Sequence, residues 1–114
     1  MSWAKELETV QNAMGDFGTE LPAVGDGFHA LHVGAMAEGA IPVKHKELQA
    51  LAIGITKQCM NCIGFHVKAS IDAGASREEI AETVGVAILM GGGPSYMYGI
   101  KALEAYDELV TLAA

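Results

Sequence analysis

Glycine and proline cut this chain into helix-length pieces, and that punctuation restricts the fold more than any other feature. Breaks fall at Gly15 and Gly18, at Gly39 and Pro42, at Gly74, and at Gly91-Gly92-Gly93-Pro94. Between them no segment alternates apolar and polar residues convincingly, so strands are not expected. Leu48, Leu51, Ala52 and Ile55 form one stripe at helical spacing, and Ile80, Val84, Ala87 and Ile88 form another. Ser76-Arg77-Glu78-Glu79 is a capping-box sequence, with Ser76 as N-cap and Glu79 reaching back. The pattern predicts an all-α bundle of about six helices. They run from Ser2 to Phe17, Glu20 to Glu38, Pro42 to Lys57, Cys59 to Gly74, the Ser76 cap to Met90, and Pro94 to about Thr111. Gly54, Gly64 and Gly85 fall inside these helices, where each costs up to about 1 kcal/mol relative to Ala. The reading adopted for all three is close helix–helix approach.

A length of 114 residues suits a single domain spanning 1–114. Hydrophobic residues make up 51% of the chain and charged residues 18%, against a usual charged share of about a quarter. Small domains have much surface for their volume, so a low charge content implies that part of the surface is covered. A homo-oligomer is therefore expected. The net charge of −7 argues against nucleic-acid binding and against anionic membrane surfaces. The uncharged window from Thr83 to Ile100 is broken by its glycine–proline turn and reads as a buried helix rather than a membrane span. Met1 to Glu6 has no basic stretch before an apolar core, which points to a cytoplasmic chain.

The only two cysteines lie in Cys59-Met60-Asn61-Cys62-Ile63-Gly64-Phe65-His66. In a reducing compartment such a pair is more often catalytic or metal-binding than structural. His66 is one helical turn beyond Cys62 on the same face, which sets a proton acceptor beside a sulfur. If the third and fourth helices fold back on each other near Gln58, His66 faces roughly Leu51. Glu47 then lies one turn further on, within reach of the imidazole directly or through a water. The order Glu47, His66, Cys62 is that of a proton relay: the carboxylate orients the ring and the ring takes the thiol proton. Cys59, at the helix start, is expected to be the more accessible sulfur. Either cysteine can attack first, with the other closing a Cys59–Cys62 disulfide.

The spacing Glu47, eleven residues, Cys59-x-x-Cys62, three residues, His66 resembles the alkylhydroperoxidase D-like branch of the carboxymuconolactone decarboxylase family. Lys46-Glu47-Leu48, Ala50-Leu51-Ala52, Ala73-Gly74-Ala75, Glu78-Glu79-Ile80 and Gly91-Gly92-Gly93-Pro94 are similar to runs around that motif. The resemblance covers Pro42 to Tyr98. It implies an all-helical fold assembled as trimers or hexamers, and a disulfide reductase with hydroperoxidase activity as a further possibility. It assigns the relay to Glu47 and His66, the sulfenic-acid role to Cys62 and the partner role to Cys59. No bound cofactor is implied. Electrons come from an external thioredoxin-like, dihydrolipoyl or flavoprotein donor. One departure matters: where peroxidase members carry a histidine before the second cysteine, this chain has Asn61, which cannot exchange a proton near neutral pH. That favours disulfide reduction over peroxide reduction. The decarboxylases of the family lack the cysteine pair, so decarboxylation is not implied.

Other readings compete. Cys59, Cys62, His66 and Glu47 together offer the four donors of a zinc site, which would make the chain a non-catalytic metal-binding or interaction module. His29 and His32 share a helix face and are lesser metal candidates. His45, between Lys44 and Lys46, reads as a solvated helix start. Tyr96 and Tyr98 read as packing or subunit contact, with an apolar approach to the thiols as the alternative. The methionines read as core filler, except Met60, which lies inside the motif and can shape access.

Overall fold

The computed structural model describes residues 1–113 as six α-helices, with no strand among the described residues. They are α1 (Trp3–Glu20), α2 (Pro22–Met36), α3 (Val43–Thr56), α4 (Met60–Asp72), α5 (Arg77–Gly91) and α6 (Gly93–Ala113). Helices α3 to α6 pack on one another around a core that includes Leu51, Ile55, Ile63, Val67, Ile80, Val84, Ala102 and Ala105. Both predicted stripes are there. Leu51, Ile55 and Ile80 are fully buried, while Leu48, Ala52 and Ile88 pack at the margin. Small residues on α6 let it lie close. A Cβ on Gly99 would stand 2.6 Å from Val84 Cγ1, so the glycine marks where α5 and α6 touch.

The first two helices differ from expectation. α1 runs through Gly15 and Gly18 to Glu20. A glycine costs a helix only about 1 kcal/mol, too little to stop it unless something competes. Gly18 instead marks a crossing point, since a Cβ on Gly25 of α2 would sit 3.0 Å from Gly18 Cα. The break comes at Leu21, which leaves helical geometry at φ −131° and ψ 76°. The residue before a proline is pushed out of the α region, and Pro22 then serves as the first residue of α2. α2 ends at Met36 rather than Glu38, where Lys46 Nζ from α3 donates to Ala35 O at 3.0 Å and Ala37 O at 2.6 Å. No residue of α2 is buried, although Val24, Phe28, Leu31 and Val33 are all apolar.

The remaining boundaries follow local chemistry. Ser76 Oγ accepts from Glu79 N at 3.1 Å and Glu79 Oε1 accepts from Ser76 N at 2.9 Å, which is the predicted capping box. Gly92 has φ 74° and ψ −155°, a conformation open essentially only to glycine, and it separates α5 from α6. Of the interior glycines, Gly54 and Gly64 sit at helix contacts, whereas a Cβ on Gly85 would meet nothing, so close approach does not explain that residue.

α1 is fastened by a residue from the far end of the chain. Glu108 on α6 accepts from Trp3 N and Ala4 N, both at 2.9 Å, and from Ser2 Oγ at 3.1 Å. A carboxylate at a helix N-terminus meets unpaired N–H groups and the positive end of the helix dipole. The backbone bonds from Ala4 and Trp3 hold its pKa below the usual glutamate value of 4.5. A depressed carboxylate stabilises the fold above its unfolded value and loses that contribution as pH falls through its folded one. Glu108→Gln is therefore expected to lower Tm at neutral pH. The difference from wild type should shrink on acidification below about pH 4.5, the usual glutamate value. Thermal melts of both proteins across that range check it.

Candidate functional site

The site forms where α3 turns back into α4. Gln58 adopts φ 57°, and Cys59 N donates to Gly54 O at 3.0 Å, so the chain reverses within a few residues. Gly54 lets the two helices close: a Cβ there would lie 3.2 Å from Cys62 Cβ. On α3, Glu47, Leu51 and Gly54 share one face, each about a turn apart. On α4, Cys62 and His66 share the facing side. Deeper in, a Cβ on Gly64 would stand 2.9 Å from Leu7 and 3.1 Å from Trp3, so α1 packs directly on α4.

Cys59 and Cys62 are joined by a disulfide with Cα atoms 5.2 Å apart. Cys59 is the N-cap of α4, and its Sγ accepts from Cys62 N at 3.2 Å. The first turn of a helix thus aims an N–H at the Cys59 sulfur, an arrangement that favours thiolate once the bond is reduced. Both cysteines are half-buried in the oxidised protein.

His66 Nδ1 lies 2.7 Å from Glu47 Oε1, a direct bond that needs no bridging water. Glu47 is 6% exposed, and the His66 side chain 20%. An ionised carboxylate can only accept, so with Glu47 as acceptor Nδ1 is the donor, which in the neutral ring leaves the lone pair at Nε2. That is the tautomer a base for a neighbouring thiol requires. Short charge-assisted bonds of this kind are roughly twice as strong as neutral ones. The four residues read from the sequence thus occur as a disulfide and an acid–imidazole pair. Among the described residues no group of three or more His, Cys, Asp or Glu is arranged to hold a metal ion.

The neighbours sort themselves around this centre. Asn61 is exposed. Met60, beside Cys59, lines a shallow cavity of about 210 Å³ with Met97, Tyr98 and Lys101, while Tyr96 is 53% exposed. Tyr98, not Tyr96, is thus the tyrosine brought to the motif. His45 is exposed on the border of a second shallow cavity with Leu48 and Val86. His32 stands where sequence reasoning did not put it. Its ring lies near that of His66 and roughly parallel to it, with centroids 6.4 Å apart and planes at 26°. Nothing in the local pattern around His32 signals this, because the partner is 34 residues away on another helix.

Known proteins share this arrangement of helices. A carboxymuconolactone decarboxylase family protein from Legionella pneumophila superposes with a TM-score of 0.91 at 41% identity, covering 95% of this chain and 96% of its own. A family protein from Thermotoga maritima has the same fold, with a TM-score of 0.85 at 24% identity, covering 95% of this chain and 92% of its own. An uncharacterized protein of Cupriavidus necator is 36% identical over 103 residues, or 90% of this chain and 91% of that one. The sequence pattern that defines the carboxymuconolactone decarboxylase family matches residues 22–105, which hold Glu47, both cysteines and His66. With the helical fold and the Cys-x-x-Cys disulfide consistent with the alkylhydroperoxidase D-like branch, the chain belongs to the carboxymuconolactone decarboxylase family.

Proposed function

We propose that this protein is a thiol–disulfide oxidoreductase that cycles between a Cys59/Cys62 dithiol and their disulfide. The observation that carries the reading is the direct Glu47–His66 bond one helical turn from Cys62, beside the only disulfide the two cysteines can form. In the reductive half-cycle His66 Nε2 takes the proton of Cys62. The Cys62 thiolate attacks one sulfur of a substrate disulfide, forming a mixed disulfide and expelling a thiolate, which takes up a proton. The Cys59 thiol, acidified by the α4 N-terminus, loses its proton and attacks Cys62 Sγ. That releases the second substrate thiol and leaves Cys59–Cys62 oxidised by two electrons. A hydroperoxide can enter at the same point: Cys62 thiolate takes its terminal oxygen as sulfenic acid, the O–O bond breaks and the alkoxide leaves as the alcohol after taking up a proton, and Cys59 then displaces water to close the disulfide. Asn61 offers no proton there, so disulfide is the favoured substrate.

Two electrons must return from outside. We assign them to an external thiol or flavoprotein donor of the thioredoxin-like or dihydrolipoyl type, with no cofactor bound to this chain. The apolar, unburied face of α2 supports a homo-oligomer, read as a trimer or a hexamer, because patches of this kind on small domains are usually covered. Among the described residues no helix is long and apolar enough to cross a membrane; the cytoplasmic placement is part of the proposal. The name of the Thermotoga maritima protein suggests an antioxidative role for that protein, and a peroxide-linked thiol cycle here would be of the same kind. The test is a turnover assay with the reduced full chain against a model disulfide and an alkyl hydroperoxide, each with dithiol, dihydrolipoyl and flavoprotein donors. Faster turnover of the disulfide supports the reading. Absence of turnover with every donor, in protein shown to carry two free thiols, would sink it.

A further inference from the structure

We propose that the thiols and disulfides exchanged at this site are small anionic ones, with a carboxylate close to the sulfur; this rests on the dithiol reading of Cys59 and Cys62. The chain as a whole is acidic, with 14 Asp and Glu against 7 Lys and Arg. The surroundings of the motif are not. No Asp or Glu occurs from Leu48 to Ile71, and none from Thr83 to Leu103. The fold brings these two stretches together. Met60 from the first, with Met97, Tyr98 and Lys101 from the second, lines a shallow cavity of about 210 Å³, the size of a small molecule. Lys101 is the one charged residue of that lining. Met60 follows Cys59 directly, so the cavity begins one residue from the disulfide.

A second lysine stands just before the motif. Lys57 ends α3, is exposed and makes no ion pair among the described residues. Its Cα is at most about 7.6 Å from that of Cys59, two peptide units away. The countercharges are few. Glu104 lies 3.6 Å from Lys101 and offsets part of its charge, while Lys68 further along α4 is paired with Asp72. Glu47 is 6% exposed and already bonded to His66. At about 8 Å in water one lysine favours a unit negative charge about twofold and disfavours a positive one as much. Apolar walls, here Met and Tyr, focus such a field. Reduction of the oxidised protein uses two such thiols. One thiolate attacks a sulfur of the disulfide and frees the other as a thiolate, which takes up a proton. A second thiolate attacks the mixed disulfide, so the substrate leaves as its own disulfide and the protein gains two electrons.

The experiment uses the oxidised full chain, with 3-mercaptopropionate, 2-mercaptoethanol and cysteamine as anionic, neutral and cationic probes at one pH. Reduction is followed by maleimide trapping and intact mass at low and high salt. Each thiol is compared with itself across variants, so its intrinsic reactivity cancels. Lys57→Gln combined with Lys101→Gln should slow 3-mercaptopropionate about threefold at low salt, leave 2-mercaptoethanol unchanged and speed cysteamine. In wild type, added salt should slow 3-mercaptopropionate relative to 2-mercaptoethanol. The net charge of −7 alone predicts the reverse sign. Lys44→Gln makes the same net-charge change as Lys57→Gln, but about 20 Å away along α3, and should leave the ranking of the thiols as it is. Equal effects on all three thiols, no effect on any, or a Lys44→Gln effect as large as that of Lys57→Gln would overturn the proposal. If no thiol reduces the disulfide in any variant, the dithiol cycle itself fails.

Discussion

Cys62→Ser and Cys59→Ser are each expected to reduce catalytic turnover of a model disulfide by about a thousandfold or more, because each removes a covalent step that no other side chain can supply. The chain has two cysteines and no substitute thiol. The variants should nevertheless differ in a single turnover. With Cys59 gone, Cys62 can still be deprotonated by His66, attack the substrate and stop at a mixed disulfide. One equivalent of released thiol and a mass increase on Cys62 should result. With Cys62 gone, Cys59 retains only the α4 N-terminus to favour its thiolate and should react more slowly. Stopped assays with thiol quantitation and intact mass check both outcomes. Full turnover in either variant would rule out the dithiol cycle.

The second large effect concerns the buried acid. His66→Ala leaves the Glu47 carboxylate almost fully enclosed and without its partner. Leaving a buried polar group without its hydrogen-bond partner costs about 1–3 kcal/mol, and more for a charged one. His66→Ala is therefore expected to destabilise the fold by about 3 kcal/mol, the upper figure because the acceptor left behind is a carboxylate. Replacing both groups together, as Glu47→Leu with His66→Leu, should recover much of that loss, since apolar residues of similar volume carry no such penalty. Denaturant melts of the single and double variants measure the coupling. Thiol reactivity should follow the opposite order, with the stable double variant alkylated at Cys62 about tenfold more slowly than wild type near neutral pH. A double variant no more stable than His66→Ala would mean that Glu47 is held by something other than the ring.

Much of this site is legible in one dimension. The helical spacing of Cys62 and His66 is a local matter, fixed by 3.6 residues per turn. The placement of Glu47 needed only the assumption that α3 and α4 fold back near Gln58. Ser76 and Glu79 announce their capping box for the same reason: both partners lie within one turn. The misjudged features involve competition between distant groups. Gly15 and Gly18 looked like stops because glycine weakens a helix, but the actual break needed the steric effect of Pro22 on Leu21.

The sequence by itself determined the helical class, the cysteine pair and the histidine one turn away, because each depends on contacts within a few residues. Tertiary structure decided the rest. It brought Glu47 to His66 without a bridging water, since Gly54 allows α3 and α4 to meet closely. It carried Glu108 back to the start of α1, more than a hundred residues away in the chain. It also brought His32 near His66, from a helix with no buried residue of its own. Such contacts join residues far apart in sequence, and their energies depend on how whole helices pack, which no local spacing records.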